Sequence, residues 1–141
     1  MTFSLDVVVI GYEPLAGEPD PKICFSEKQI QFVVPNDSGT DPLKMAEVVS
    51  ALFKEKDVYV AVPGTQFDLY GTRHGRGGGW YDRFLAAVPG YWVRVGICFE
   101  DSFSNIQLER KKWDEPVDWV CVKTKSGIDF YENRSNTHKT V

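Results

Sequence analysis

Four short apolar runs rich in β-branched residues limit the folds that are open to this chain. They extend from Leu5 to Tyr12, Asp57 to Pro63, Tyr91 to Phe99 and Val117 to Thr124. Each run is predominantly apolar rather than alternating, which is typical of strands buried on both faces of a sheet. Helical patterns and polar linkers separate the runs. The sequence therefore predicts an α/β domain built as a three-layer α/β/α sandwich around a largely parallel sheet.

Two helices are predicted between these strands. Asp41 can cap a helix that has Pro42 at its first position, and apolar residues follow at helical spacing. A second helix is predicted through "WYDRFLAAV", residues 80–88. Ahead of the first helix, Ile23 to Phe25 and Ile30 to Val34 predict a hairpin or a pair of short strands.

Length and charge narrow the classes of function. A chain of 141 residues, 43% hydrophobic, has enough apolar surface for one compact domain. We expect that domain over residues 1–131, with residues 132–141 as a polar, mobile tail. The formal charge of -4 argues against a broad basic surface. We therefore expect neither nucleic acid nor membrane as a partner.

The cysteines and the first residues indicate the compartment. Cys24, Cys98 and Cys121 are far apart, lack zinc-ligand spacing and have apolar neighbours, so they predict buried, reduced thiols. The first residues have neither a basic start nor an apolar run typical of a signal peptide. The sequence predicts a cytoplasmic protein.

The stretch "GTRHGRGGGWYD", from Gly71 to Asp82, contains five glycines directly ahead of the second helix. Glycines at such a position allow phosphate oxygens to approach the unpaired N–H groups of the first helical turn. Arg73 and Arg76 add the guanidinium groups that match a phosphate edge. The stretch is neither a nucleoside triphosphate loop, which ends in Gly-Lys-Ser/Thr, nor a dinucleotide fingerprint, because Trp80 occupies the position of the third glycine.

Each residue of this stretch also has a simpler interpretation. The glycines can form only a turn, and Asp82 can only complement the helix dipole rather than bind Mg²⁺. Trp80 and Tyr81 can be core aromatics or the floor of a pocket for a flat ring. His74 can contact a phosphate or lie in solvent.

The segment "AVPGTQFDLYGTRHGRGGGWYDRFL", from Ala61 to Leu85, resembles the signature of the 5-formyltetrahydrofolate cyclo-ligases, also called methenyltetrahydrofolate synthetases. The shared motifs, in order, are Pro-Gly, Phe-Asp and Gly-x-Arg. They are followed by Gly-x-Gly-x-Gly, then two aromatic residues, then Asp and Arg. "VGICFE" and "KKWDEPVDWVCVKT" further along the chain resemble later family segments. The resemblance covers about half the chain, Asp57 to Thr124. It implies a mixed three-layer α/β/α sandwich of the CoA-transferase-like type.

The resemblance also implies roles for particular residues. Arg76 and Tyr81 are implied to act in catalysis, and Asp82 and Asp114 to bind Mg²⁺. Residues from Arg76 to Trp80 are implied to line the folate pocket as well. The residues implied to bind ATP are Arg73, His74, Gly75, Arg76, Gly77, Gly78, Gly79, Trp80 and Tyr81.

The implied reaction is phosphoryl transfer from ATP to the formyl oxygen of 5-formyltetrahydrofolate, followed by ring closure to 5,10-methenyltetrahydrofolate. Family members carry a basic helix ahead of their first strand, and here that strand begins near Leu5, so we expect a member shortened at its N-terminus. Lys22, Lys28 or Lys44 could supply the missing charge. The alternatives are a non-catalytic nucleotide-, folate- or anion-binding homologue and a structural protein. A homodimer is a further hypothesis.

Overall fold

A computed structural model describes residues 7–36 and 39–135 of the chain. The described part contains nine β-strands and two α-helices. Their bounds are β1 Val8–Tyr12, β2 Ile30–Val34, α1 Pro42–Leu52, β3 Val58–Val62, β4 Gln66–Asp68, β5 Arg73–His74, α2 Trp80–Ala87, β6 Val93–Phe99, β7 Phe103–Ser104, β8 Trp119–Lys123 and β9 Ile128–Glu132.

The main sheet has six strands in the order β2-β1-β3-β6-β8-β9. The first five strands are parallel to one another, and β9 pairs antiparallel with β8 at the edge. The predicted α/β fold with a mixed, largely parallel sheet is therefore confirmed. The central strands β1 and β3 are buried along their whole length, as their continuous apolar sequences predict.

Alternate residues of the central strands point to two separate buried clusters. Val60 and Val62 of β3 share one cluster with residues of α1 and α2, whereas Tyr59 and Ala61 belong to the other. The two described α-helices therefore lie on the same face of the sheet. On the opposite face, Phe25 is buried and packs edge-on to Tyr59, with ring centroids 6.3 Å apart.

Helix α1 begins as its sequence predicts. The Asp41 side chain accepts a hydrogen bond from the Leu43 N–H at 2.9 Å, and Pro42 occupies the first turn. Ala46 and Val49 are buried against the sheet. The helix ends at Leu52, where Phe53 becomes the C-cap.

The prediction of a hairpin or strand pair over residues 23–34 is wrong in its first half. Residues Pro21–Ile23 form a 3-10 helix whose N-cap, Asp20, accepts a hydrogen bond from the Lys22 N–H. Proline at the first position and a capping carboxylate favour this turn over an extended strand. Only Ile30–Val34 forms a strand, and it pairs parallel with β1.

A small sheet with the order β5-β4-β7 lies beside the main one and was not predicted. It places Arg73 and His74 on β5, antiparallel to β4. Its strands are only two or three residues long, so they leave no clear periodic pattern in the sequence.

The last described residues extend the main sheet. Strand β9, absent from the sequence predictions, reaches Glu132. Asn133 is buried and donates from its side-chain amide to the Val117 carbonyl at 2.8 Å. Residues 136–141 of the predicted tail lie outside the described residues.

The cysteines agree with their prediction for the most part. All three cysteines are free, with Cys98 and Cys121 buried and Cys24 partly buried. Neither described helix has the length and apolar character needed to cross a bilayer.

Candidate functional site

The carboxyl ends of β1, β2 and β3 open onto a cavity of about 820 Å³. Tyr12 ends β1, Val34 ends β2 and Pro63 follows β3, and all three line the cavity. The chain passes from β1 to β2 on one side and later to β3 on the other, so this edge is a topological switch point of the sheet. Open α/β sheets bind ligands at such a crevice.

All eleven site residues predicted from the sequence line this one cavity. They are Arg73, His74, Gly75, Arg76, Gly77, Gly78, Gly79, Trp80, Tyr81, Asp82 and Asp114. Ten of them are consecutive, but Asp114 comes from a loop more than thirty residues away. Their common location makes a single ligand site possible, while the individual roles stay predictions.

The glycine loop, Gly75 to Gly79, leads into α2 without a side-chain cap. Gly79 is the N-cap, has φ of 69° and provides no side chain to accept from the first-turn N–H groups. A residue with a Cβ would be strained in this left-handed conformation. A Cβ on Gly77 or Gly78 would meet nothing within 4 Å, so the loop borders open space. These features leave the positive end of the α2 dipole available to an anion in the cavity.

Arg73 is a buried cation at the wall of the cavity. The residue is 8% exposed, its Nε donates to the Pro63 carbonyl, and its guanidinium lies 5.2 Å from the ring centroid of Tyr81. A Cβ on Gly75 would lie 2.9 Å from one guanidinium nitrogen, so glycine makes room for this side chain. Burial lowers the pKa of Arg73, and the charge of Asp82 opposes that shift. An arginine nevertheless stays protonated in proteins.

Arg76 forms an ion pair that sequence reasoning missed. Its Nε donates to Glu18 Oε2 at 3.3 Å, and the Glu18 side chain is only 5% exposed. Glu18 also accepts from the Leu15 N–H at 2.8 Å, which ties it to the loop after β1. The one available signal was its place in a polar loop just beyond the carboxyl end of a buried strand. The pair places a carboxylate directly beside Arg76 in a cavity that Asp82 and Asp114 also line.

Trp80 and Tyr81 are core aromatics that also face the cavity, and their role as the floor of a pocket for a flat ring stays a prediction. Trp80 stacks on Phe84 with ring centroids 5.2 Å apart, and its indole N–H donates to the Thr40 carbonyl at 2.7 Å. Both aromatics pack against the buried core cluster while they also line the cavity. Burial raises the pKa of Tyr81, although the charge of Arg73 partly offsets this. Tyr81 is therefore a neutral phenol at physiological pH.

Asp82 and Asp114 are the two carboxylates predicted to bind a metal. Asp82 Oδ1 accepts from the Glu115 N–H at 3.0 Å, and Asp114 Oδ2 accepts from the Lys111 N–H at 2.8 Å. Nowhere in residues 7–36 and 39–135 do three or more His, Cys, Asp or Glu side chains form a metal-binding group. Two carboxylates fit Mg²⁺ only if phosphate oxygens and water complete its shell, which is its usual arrangement beside nucleotides.

His74 is held toward a neighbouring loop. Its Nε2 lies 2.8 Å from the Glu109 carbonyl oxygen, so this nitrogen carries the proton that is donated. A phosphate contact would have to use the other ring nitrogen or the backbone. The structure therefore gives His74 a role in joining β5 to the loop near Glu109.

The Phe-Asp pair of the signature, Phe67 and Asp68, does not line the cavity but stabilises the turn that precedes Arg73. Asp68 is 1% exposed, and its two carboxylate oxygens accept from the N–H groups of Tyr70, Thr72 and Leu108 at 2.7 to 2.9 Å. Phe67 is fully buried. These contacts fix the turn that brings Arg73 to the cavity wall.

Comparison with known proteins agrees with this geometry. Residues 27–123, more than half of the chain, match the 5-formyltetrahydrofolate cyclo-ligase family. The chain belongs to that family. The match includes the whole glycine loop and Asp114, and it confirms the resemblance seen in the sequence. A search among curated proteins found no match.

Two solved structures support the fold of this cyclo-ligase family member. One is the NMR structure of the Aquifex aeolicus 5,10-methenyltetrahydrofolate synthetase, with a TM-score of 0.58 and 23% identity over 96% of this chain and 76% of that one. The other is a 5,10-methenyltetrahydrofolate synthetase from Mycoplasma pneumoniae, with a TM-score of 0.51 and 20% identity over 82% of this chain and 73% of that one.

Proposed function

We propose that this chain catalyses the ATP-dependent conversion of 5-formyltetrahydrofolate to 5,10-methenyltetrahydrofolate. The observation that carries the proposal is the convergence of all eleven predicted residues on one cavity at the sheet's switch point. In this reaction the γ-phosphoryl group of ATP is transferred to the formyl oxygen, and ADP is the leaving group. The N10 nitrogen then attacks the formyl carbon, and phosphate departs with the formyl oxygen.

The residues around the cavity can supply the charge that this chemistry needs. Phosphoryl transfer depends on positioning and on neutralising negative oxygens more than on a strong base. Arg73 and Arg76 provide two guanidinium groups, and the uncapped first turn of α2 provides N–H donors. The neutral phenol of Tyr81 would donate a hydrogen bond to an oxygen on which charge develops.

Asp82 and Asp114 would hold Mg²⁺ beside the phosphates. Asp82 Oδ2 accepts no hydrogen bond from the described residues, so it is available as a ligand. When bound, Mg²⁺ would neutralise charge on the phosphate oxygens.

Lys111 and Arg83 add positive charge at the cavity. None of the three lysines considered from sequence, Lys22, Lys28 and Lys44, is among the lining residues of the described cavity. Lys22 instead lies 3.6 Å from Glu27. In this proposal the contacts to the phosphates therefore come from the glycine loop and from the loop near Asp114.

The first experiment follows the absorbance of 5,10-methenyltetrahydrofolate after 5-formyltetrahydrofolate and MgATP are added. We expect product in the wild type, at least a 100-fold loss in Asp82→Ala, in line with about 3 kcal/mol for a charge-stabilising group, and wild-type rates in Asp101→Ala. Asp101 is an exposed aspartate outside the cavity lining. Arg76→Ala should also weaken MgATP binding. Absence of product in folded wild type would contradict the proposed reaction.

A non-catalytic cyclo-ligase-like protein that binds a nucleotide, folate or another anion is the alternative. The Arg76–Glu18 ion pair favours it, because Glu18 neutralises part of the charge that a transferred phosphoryl group would need. Tight binding of MgATP without turnover would support this alternative.

The proposal extends to a cytoplasmic protein that binds a reduced folate, is not directed to nucleic acid or membranes, and forms a homodimer. The free thiols support a cytoplasmic location, and the net charge of -4 argues against nucleic acid and membranes as partners. Val48 and Leu52 of α1, which are four positions apart, are exposed and would suit a dimer contact. A sedimentation mass equal to one chain would exclude the dimer.

A further inference from the structure

Arg94 joins α2 to the loop that carries Asp114. Its side chain is 7% exposed, Nη1 donates to Glu115 Oε1 at 3.0 Å, and Nη2 donates to the Leu85 carbonyl at 2.8 Å. Leu85 lies about one helical turn after Asp82 on α2. A single guanidinium therefore contacts both segments that present the candidate metal ligands.

Glu115 completes this link from the loop side. Its backbone N–H donates to Asp82 Oδ1 at 3.0 Å while its side chain accepts from Arg94. The turn itself is closed by Asp114, whose Oδ2 accepts from the Lys111 N–H and whose backbone N–H donates to the Lys111 carbonyl at 3.1 Å. The local turn thus orients Asp114, whereas the distance from the turn to Asp82 depends on Glu115.

Packing alone does not explain a buried arginine at this position. Arg94 Nε is buried and has no hydrogen-bond partner among the described residues, so the ion pair is incompletely satisfied. Buried ion pairs often contribute no more stability than well-packed apolar residues of similar size. What the guanidinium adds is geometry, because its planar fork reaches two acceptors in fixed directions. Neither Arg94 nor Glu115 is among the residues that line the cavity.

We propose that Arg94 and Glu115 are positioning residues that hold Asp82 and Asp114 at the separation required for a metal–nucleotide complex. The inference rests on the proposed function, since it assumes that the two carboxylates bind the metal. Outer contacts of this kind typically change metal affinity by about 10- to 100-fold when they are lost.

The test measures binding of Mn²⁺ together with a non-hydrolysable ATP analogue by electron paramagnetic resonance. Glu115→Ala should weaken metal binding by about 10- to 100-fold. Glu115→Gln should stay close to wild type, because its amide oxygen can still accept from Arg94. The matched control is Glu47→Ala, which removes the same charge from an exposed position on α1 and should change nothing. Urea unfolding of each variant shows whether it is folded.

Unchanged metal binding in folded Glu115→Ala would overturn the inference. Equal losses in Glu115→Ala and Glu115→Gln would also overturn it, because charge rather than geometry would then be responsible. If Glu115→Ala does not fold, Arg94→Lys replaces it, since an ammonium keeps the charge but cannot reach both acceptors. Arg94→Lys should weaken binding by about tenfold, and wild-type affinity there would overturn the inference.

The methenyl absorbance assay separates this inference from the proposed function. One outcome is that wild type binds the metal–nucleotide complex, that Glu115→Ala weakens this binding, and that wild type forms no product. This outcome would support the positioning role and contradict catalysis. Wild type that turns over, with a Glu115→Ala variant of unchanged metal affinity, would support catalysis and overturn the positioning role. Wild type that neither binds nor turns over would contradict both.

Discussion

At the scale of single residues, Trp113 is notable because a large aromatic side chain is 67% exposed at the cavity. Tryptophan is usually well buried. The Lys111 ammonium lies 5.6 Å from its ring centroid, and Trp113 belongs to neither buried core cluster. We therefore expect this indole to contact a flat ring of a ligand in the cavity.

Trp113→Ala should weaken binding of either MgATP or 5-formyltetrahydrofolate by about 2- to 10-fold, which corresponds to ~0.5–1.5 kcal/mol for one aromatic contact. Its free energy of unfolding should change by less than about 0.5 kcal/mol, because the side chain is exposed. Calorimetric titration with each ligand separately identifies the ring concerned. Tyr91→Ala is the control, since Tyr91 is 58% exposed and is not a lining residue. The prediction is contradicted if Trp113→Ala binds each of the two ligands with the same affinity as wild type.

At the scale of secondary structure, the start of α2 depends on Gly79. Its φ of 69° and a Cβ position 3.2 Å from an Arg83 guanidinium nitrogen both disfavour a side chain. Gly79→Ala should lower the free energy of unfolding by about 1–2 kcal/mol and weaken phosphate binding as the loop shifts. Urea unfolding and phosphate titration measure the two effects.

Gly90→Ala is the matched substitution. Gly90 has no positive φ, and a Cβ there would meet nothing within 4 Å. We expect it to be neutral or to stabilise the fold by about 0.4–1 kcal/mol, because alanine restricts the unfolded chain. Similar effects of both substitutions would show that the left-handed geometry at Gly79 does not matter.

At the scale of the whole molecule, buried thiols and phenols make stability depend on alkaline pH. Burial raises the pKa of Cys98 from 9.0 to about 12, and burial also raises the pKa of Tyr12 and Tyr81 above 10.0. The unfolded chain loses these protons first as pH rises, so the folded chain binds more protons above pH 9. The contribution of these buried groups to the free energy of unfolding is fully present below that pH and is lost as the pH rises toward 12.

The free energy of unfolding, measured in urea, should therefore be nearly constant from about pH 7 to 8 and fall steadily above the ordinary thiol pKa. Cys98→Ala should reduce the decline that begins near pH 9, and Tyr81→Phe should reduce the decline above pH 10. A profile in Cys98→Ala that parallels wild type would exclude the thiol as a cause.

Features that depend on local pattern were predictable from the amino-acid sequence. Continuous apolar runs identified the main parallel strands, Asp41 and Pro42 identified the start of α1, and the ordered glycine signature identified the family. Prediction failed where elements were short or weakly apolar, as in β4, β5, β7 and β9. Period and propensity carry little information in strands of two or three residues or at an exposed edge.

Contacts between distant residues became evident only in the folded chain. Glu18 pairs with Arg76 across 58 positions, and the Glu115 N–H reaches Asp82 across 33. The tertiary structure also placed β2 parallel to β1 instead of in a hairpin. The physical reason is that a charged or capping side chain has the same local pattern whether its partner is solvent or a remote loop. The partner is fixed only when the sheet brings the carboxyl ends of separate strands to one edge.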